Sequence, residues 1–167
     1  AQALGLPVTI DPTNYDPLAA AASGDANATK VLLETARLAN VMNQVDAFAE
    51  YREIPFTSPG QAGTAFISEL AAQVGAWKDG DSNPLSDDTL VQQALVSSLQ
   101  AIQPGTSSTD TVEAVQFIRM ADTLLVQTAA SGAASNALAV SLAKNQKAIA
   151  SEVIGGYDSL TENGNAI

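Results

Sequence analysis

Apolar residues recur along this chain at intervals of three and four, the period of a helix with one buried face. Between 26 and 52, Val31, Leu38 and Val45 fall seven apart. Ala28, Leu32, Leu33, Ala36, Val41, Met42, Phe48 and Ala49 widen that line to a full inner stripe. The same period predicts helices over 59–77 (Ala62, Phe66, Leu70, Val74) and 87–102 (Leu90, Ala94, Leu95, Leu99). It predicts two more over 112–130 (Val115, Ile118, Leu125, Ala129) and 133–154 (Leu138, Leu142, Ile149, Val153).

Turn and cap residues sit where these stripes begin and end. Asp16 followed by Pro17 opens a short helix over 17–22, with proline at the first helical position, where its missing N–H costs nothing. Ser23-Gly24 closes it, and Asp25 is placed to cap the next. Pro55 stops the long helix, and Ser58-Pro59 repeats the cap-then-proline device. Ser86 is expected to cap 87–102, with Asp87 and Asp88 favouring its N-terminal dipole. Asp110 and Glu113 have capping-box spacing. The one strand-like stretch, 8–10, is too short to support a sheet. The expectation is a single all-α domain over 1–167: a bundle of five long helices and one short N-terminal helix, with a frayed polar tail over 161–167.

Composition narrows the chemistry. Aromatics are 5% of a chain that is 46% hydrophobic, so alanine fills much of the core and the helices must pack closely. Eighteen Asp and Glu against seven Lys and Arg leave a net charge of -11. Nucleic acid and anionic membrane both select for basic surface, so neither is an expected partner. No run reaches the ~20 apolar residues of a spanning helix, so no membrane insertion is expected. Cysteine and histidine are both absent. Without them there is no disulfide, zinc-thiolate site, histidine-based triad or cysteine nucleophile. Any metal must be held by oxygen, which points to Ca2+ or Mg2+.

The best metal candidate is the loop DGDSNPLSDD. Asp79, Asp81 and Asn83 alternate like the first three ligands of a calcium loop, and Asp87 could join them. The pattern then departs from an EF-hand: Pro84 stands where glycine makes the sharp turn, and Leu90 where the bidentate glutamate belongs. The alternative is an acidic interhelix loop running into a capped helix. Asp11, Asn14 and Asp16 form a second oxygen cluster that turn chemistry explains equally. Ser141 to Lys144 matches the S-x-x-K of serine–lysine acyl enzymes, but mid-helix and without the companion motifs. Asp46, Glu50 and Glu53 read as a solvated acidic face, since a carboxylate dimetal site in a bundle takes histidine as well. Glu34 with Arg37, and Arg119 with Asp122, read as surface pairs worth little. Phe48, Tyr51, Phe56, Phe66, Trp77 and Phe117 either line an apolar pocket or fill the gaps that alanine leaves. Gly132 to Ala139, GAASNALA, offers small residues for close helix approach.

The stretch 3–44 carries a recognisable order of residues: Leu4-Gly5-Leu6-Pro7, Ile10-Asp11, Tyr15-Asp16-Pro17-Leu18, Gly24-Asp25, and Arg37 to Asn40. It resembles a helical segment of large secreted bacterial surface, adhesin-like or matrix proteins. The resemblance covers about a quarter of the chain. It implies secretion or display at the cell surface and a non-catalytic role, and it supplies no catalytic residues. A helix precedes Leu-Gly-x-Pro in such proteins, so Ala1 is expected to be a processing or trimming boundary.

The resulting expectation is a non-enzymatic, extracellular structural or adhesion module. Its partners would be copies of itself or neighbouring modules of a surface assembly, with assembly into an oligomer or filament. A calcium-responsive module using Asp79, Asp81, Asn83 and Asp87 is the second reading, and a carrier of a small apolar ligand the third.

Overall fold

The computed structural model describes residues 6, 9–11, 14–56, 58–75, 83–130, 140, 141 and 144. Its helices are α1 (Pro17–Ala22), α2 (Ala28–Tyr51), α3 (Gln61–Val74), α4 (Asp88–Gln100) and α5 (Val112–Ala130). Single 3-10 turns, Pro84–Ser86 and Thr109–Thr111, lead into α4 and α5. No strand occurs among the described residues. The fold is the expected all-α bundle. The helix expected over 133–154 lies largely outside the described residues, although Val140, Ser141 and Lys144 are helical. The 161–167 tail lies outside them altogether.

The helices α2, α3, α4 and α5 form a ring in which each packs on the next, and lighter contact between α4 and α5 closes it. Their inner faces meet in one core. Val41, Val45, Phe48, Phe66, Leu95, Leu99, Ile118 and Leu125 are almost fully buried there. Phe56, Tyr51 and Phe117 pack against the core from its edge. Those aromatics therefore fill space between alanines; Trp77 lies outside the described residues. A smaller cluster of Leu6, Ile10 and Val31, with Tyr15 against it, pins the N-terminal segment to the start of α2.

Local chemistry sets the helix ends, not always as the sequence suggests. The stop after α1 follows expectation: Gly24 takes φ +84°, and the Asp25 N–H returns to the Ala20 carbonyl. Asp25 does not cap α2 directly. One of its oxygens accepts the Asn27 N–H at 2.8 Å and the other the Tyr15 hydroxyl at 2.8 Å, so α2 begins at Ala28. Ser86 is not the cap of α4. It closes the 3-10 turn, and Asp87 accepts the Thr89 and Leu90 N–H groups at 2.9 and 3.2 Å instead. Asp110 forms no capping box. Its carboxylate reaches back to the Ser107 N–H and hydroxyl, at 2.9 and 2.7 Å.

The crossing of α2 and α3 depends on Gly63. A Cβ there would fall 2.7 Å from the Met42 carbonyl oxygen and 2.9 Å from its Cα. The Gly63 N–H donates to Asp46 of α2 at 2.9 Å, so a side chain from one helix satisfies a free amide at the start of the next.

Candidate functional site

The most highly organised polar group lies inside the bundle. Arg37 of α2 is 4% exposed and Asp122 of α5 is also 4% exposed, with Glu34 at 8%. The Arg37 guanidinium meets the Asp122 carboxylate at two points, Nε to Oδ1 at 2.5 Å and Nη2 to Oδ2 at 3.0 Å. Its Nη1 donates to both Glu34 oxygens, at 2.9 and 3.2 Å. Its Nη2 also donates to the Ser86 hydroxyl at 2.8 Å. Asn83 closes the group, donating from Nδ2 to Glu34 at 3.1 Å while its Oδ1 accepts the Leu85 N–H at 2.9 Å. Arg119 flanks it, 3.8 Å from Asp122 and paired at 2.6 Å with Asp88.

These contacts correct the sequence reading of Glu34–Arg37 and Arg119–Asp122 as independent surface pairs. Helical spacing brings the members of each pair together but does not say which face they occupy. Glu34 and Arg37 share a face with Val41, Val45 and Phe48, and that face points into the bundle. Burial opposes the charge on Arg37, yet the hydrogen bonds and charges of Asp122 and Glu34 prevail and hold its pKa above the ordinary value. The cluster joins α2, α5 and the turn before α4. A guanidinium saturated by two carboxylates and a hydroxyl has no free proton to give and no open face for a substrate, so the arrangement acts as a clamp.

Two further buried polar residues follow on α2. Asn40 and Gln44 are each 2% exposed, and Asn40 Nδ2, Gln44 Nε2 and Gln44 Oε1 have no hydrogen-bond partner among the described residues. Glu34, Arg37, Asn40 and Gln44 thus form a polar line along an otherwise apolar inner face.

The calcium candidates divide. Asp79 and Asp81 lie outside the described residues. Asn83 serves the 3-10 turn and Glu34, and Asp87 caps α4. Among the described residues, no group of three or more acidic side chains is placed to hold a metal ion. Asp11 accepts from Asn14 Nδ2 at 2.7 Å, and Asp16 caps α1 through the Leu18 and Ala19 N–H groups, as turn chemistry requires. Ser141 is half-buried and Lys144 exposed. Gly132 to Ala139 lie outside the described residues.

Concavities mark the surface of the described residues. One, of about 790 Å³, opens between the end of α2 and the start of α3, and takes only Phe56 from the aromatic set. A smaller one, of about 210 Å³, lies beside the exposed Arg52–Asp110 pair, whose nitrogen and oxygen are 3.2 Å apart. Ser107 and then Arg52 hold the Asp110 carboxyl below its usual pKa. The outer side of α5 carries exposed apolar residues: Val112, Met120, Leu124 and Val126. No described helix is long and apolar enough to cross a membrane.

No family model, curated protein or solved structure matches the chain.

Proposed function

We propose that this chain is a non-catalytic structural or adhesion module of a secreted or cell-surface bacterial assembly, and that copies of it pack together through the outer side of α5. The observation that carries this reading is the charge pattern of that helix. Its exposed residues include Val112, Met120, Leu124 and Val126, with Met120 69% exposed, while Glu113 is the single charged residue among them. Two copies of a chain with net charge -11 repel one another. Along this strip the exposed apolar residues are interleaved with the neutral Gln116, Thr123 and Gln127, so little charge opposes contact between copies. The resemblance of 3–44 to segments of secreted surface proteins supports the same reading.

Sedimentation velocity over a range of concentrations tests it. Self-association is expected, strengthened by salt that screens the net charge. Met120→Lys with Leu124→Lys should abolish association and leave the melting temperature nearly unchanged, because both side chains are exposed. A strict monomer at every concentration, or association indifferent to these substitutions, overturns the proposal.

A further inference from the structure

The N-terminal segment is held differently from the rest of the fold. Leu6 and Ile10 meet Val31 of α2 in a cluster separate from the core that α2 to α5 share. Tyr15 packs against that cluster, and its hydroxyl donates to Asp25 at 2.8 Å, so the chain around α1 closes on itself. From Asn14 to Asn27 no described side chain is buried, and Leu18 of α1 is 51% exposed. With six residues, α1 is well short of the ~12 that a helix needs to persist without packing. Among the described helices its main neighbour is α2. Just beyond it, Gly24 takes φ +84° in open space, with nothing within 4 Å of where a Cβ would stand. The turn there can change without displacing a neighbour.

We propose that this segment is a strap: it lifts from the start of α2 as one unit, turning at Ser23 and Gly24, while α2 to α5 stay folded. The free energy needed to expose a segment follows the apolar surface it keeps from water. The strap is anchored by Leu6, Ile10 and Tyr15, whereas the ring shares Phe48, Phe66, Leu95, Leu99, Ile118 and Leu125 in one core. Lifting therefore costs less than opening the ring. It uncovers Val31, which is 4% exposed when the strap is down. It also breaks three main-chain bonds together, because α1 does not persist alone: Ala20 N–H to Asp16, Ser23 N–H to Ala19 and Asp25 N–H to Ala20. The inference goes beyond association through α5, which needs no change of fold.

Native-state hydrogen exchange of the ¹⁵N-labelled full chain tests this. The amides of Ala20, Ser23 and Asp25 are expected to share one protection level, about tenfold or more below that of Val45, Leu95 and Ile118, with little dependence on sub-denaturing urea. Ile118→Val weakens the ring, so exchange at Val45 and Leu95 should rise about fivefold while the three strap amides stay unchanged. Tyr15→Phe removes the bond to Asp25 and should speed the strap amides about fivefold. Val31→Cys gives the chain a single thiol, and its labelling should follow the opening of the strap amides rather than that of Val45. Strap amides that respond to Ile118→Val as much as Val45 does, or a thiol as slow as the ring, would mean that the segment opens only when the ring unfolds, and overturn the inference. So would strap amides with unrelated protection levels indifferent to Tyr15→Phe, which is fraying, or with no protection at all, which is a strap never closed.

Discussion

Arg37 and Asp122 stand 85 residues apart in the chain and meet through two hydrogen bonds inside the bundle. The pair ties α2 to α5, and Glu34 and Ser86 take up the remaining guanidinium donors. The cluster holds two acids and one base, so it depends on that base. Removing Arg37 leaves two carboxylates in a dry interior. Arg37→Met should destabilise the fold by about 3–5 kcal/mol at neutral pH. Urea denaturation at neutral pH checks this, and a variant as stable as the parent would remove the clamp from the account.

Gln44 has both polar side-chain atoms buried without a partner among the described residues. An unmade buried hydrogen bond costs about 1–3 kcal/mol. Gln44→Met keeps the length of the side chain and removes the polar atoms. It should raise stability by about 1 kcal/mol, the low end of that cost, since the apolar replacement still has to repack. Thermal or urea melts decide, and a destabilised Gln44→Met would show that the amide has a partner in solution.

Gly63 sits where α3 meets the Met42 backbone. The contact is with main chain, which cannot swing aside. Gly63→Ala should therefore cost about 3 kcal/mol, the upper end of overpacking penalties, despite alanine's better helix propensity. Gly75→Ala is the control. Its nearest contact, 3.1 Å from the Ala72 carbonyl oxygen, lies at the loose end of the helix, and its effect should be much smaller.

Tyr15 and Asp25 couple the N-terminal segment to the start of α2, and pH should reveal it. Burial and then the Asp25 hydrogen bond push the Tyr15 pKa up to about 12. A folded pKa above the unfolded value of about 10 means the contribution is complete below pH 10 and is lost as pH rises through 12. The Asn27 N–H and then the Tyr15 hydroxyl lower the pKa of Asp25. Its contribution is present above the unfolded carboxylate value and is lost as pH falls through the depressed one. The melting temperature of the parent chain should fall at both extremes, and Tyr15→Phe should remove the tyrosine's alkaline component. An identical alkaline decline in Tyr15→Phe would assign it to other groups.

The sequence by itself determined the helices. Apolar spacing placed α2 to α5 to within a few residues, because each helix must turn one stripe inward whatever it packs against, and the Asp16-Pro17 start and Ser23-Gly24 stop placed α1. It also placed the turns at Gly24 and Pro55, where backbone geometry is a local matter. Caps were less legible. Ser86, Asp87 and Asp88 are all competent cap types, and the choice of Asp87 accompanies the use of Ser86 by Arg37, a residue 49 positions away. Tertiary structure alone decided the charged core. Glu34–Arg37 and Arg119–Asp122 have the same spacing as exposed pairs, and periodicity does not specify which neighbour will cover a face. The larger concavity likewise arises where the end of α2 meets the start of α3, and the angle of that meeting is set by the close approach of Gly63 to Met42. Local chemistry reads along the chain, while burial and charge pairing depend on which segments fold against one another.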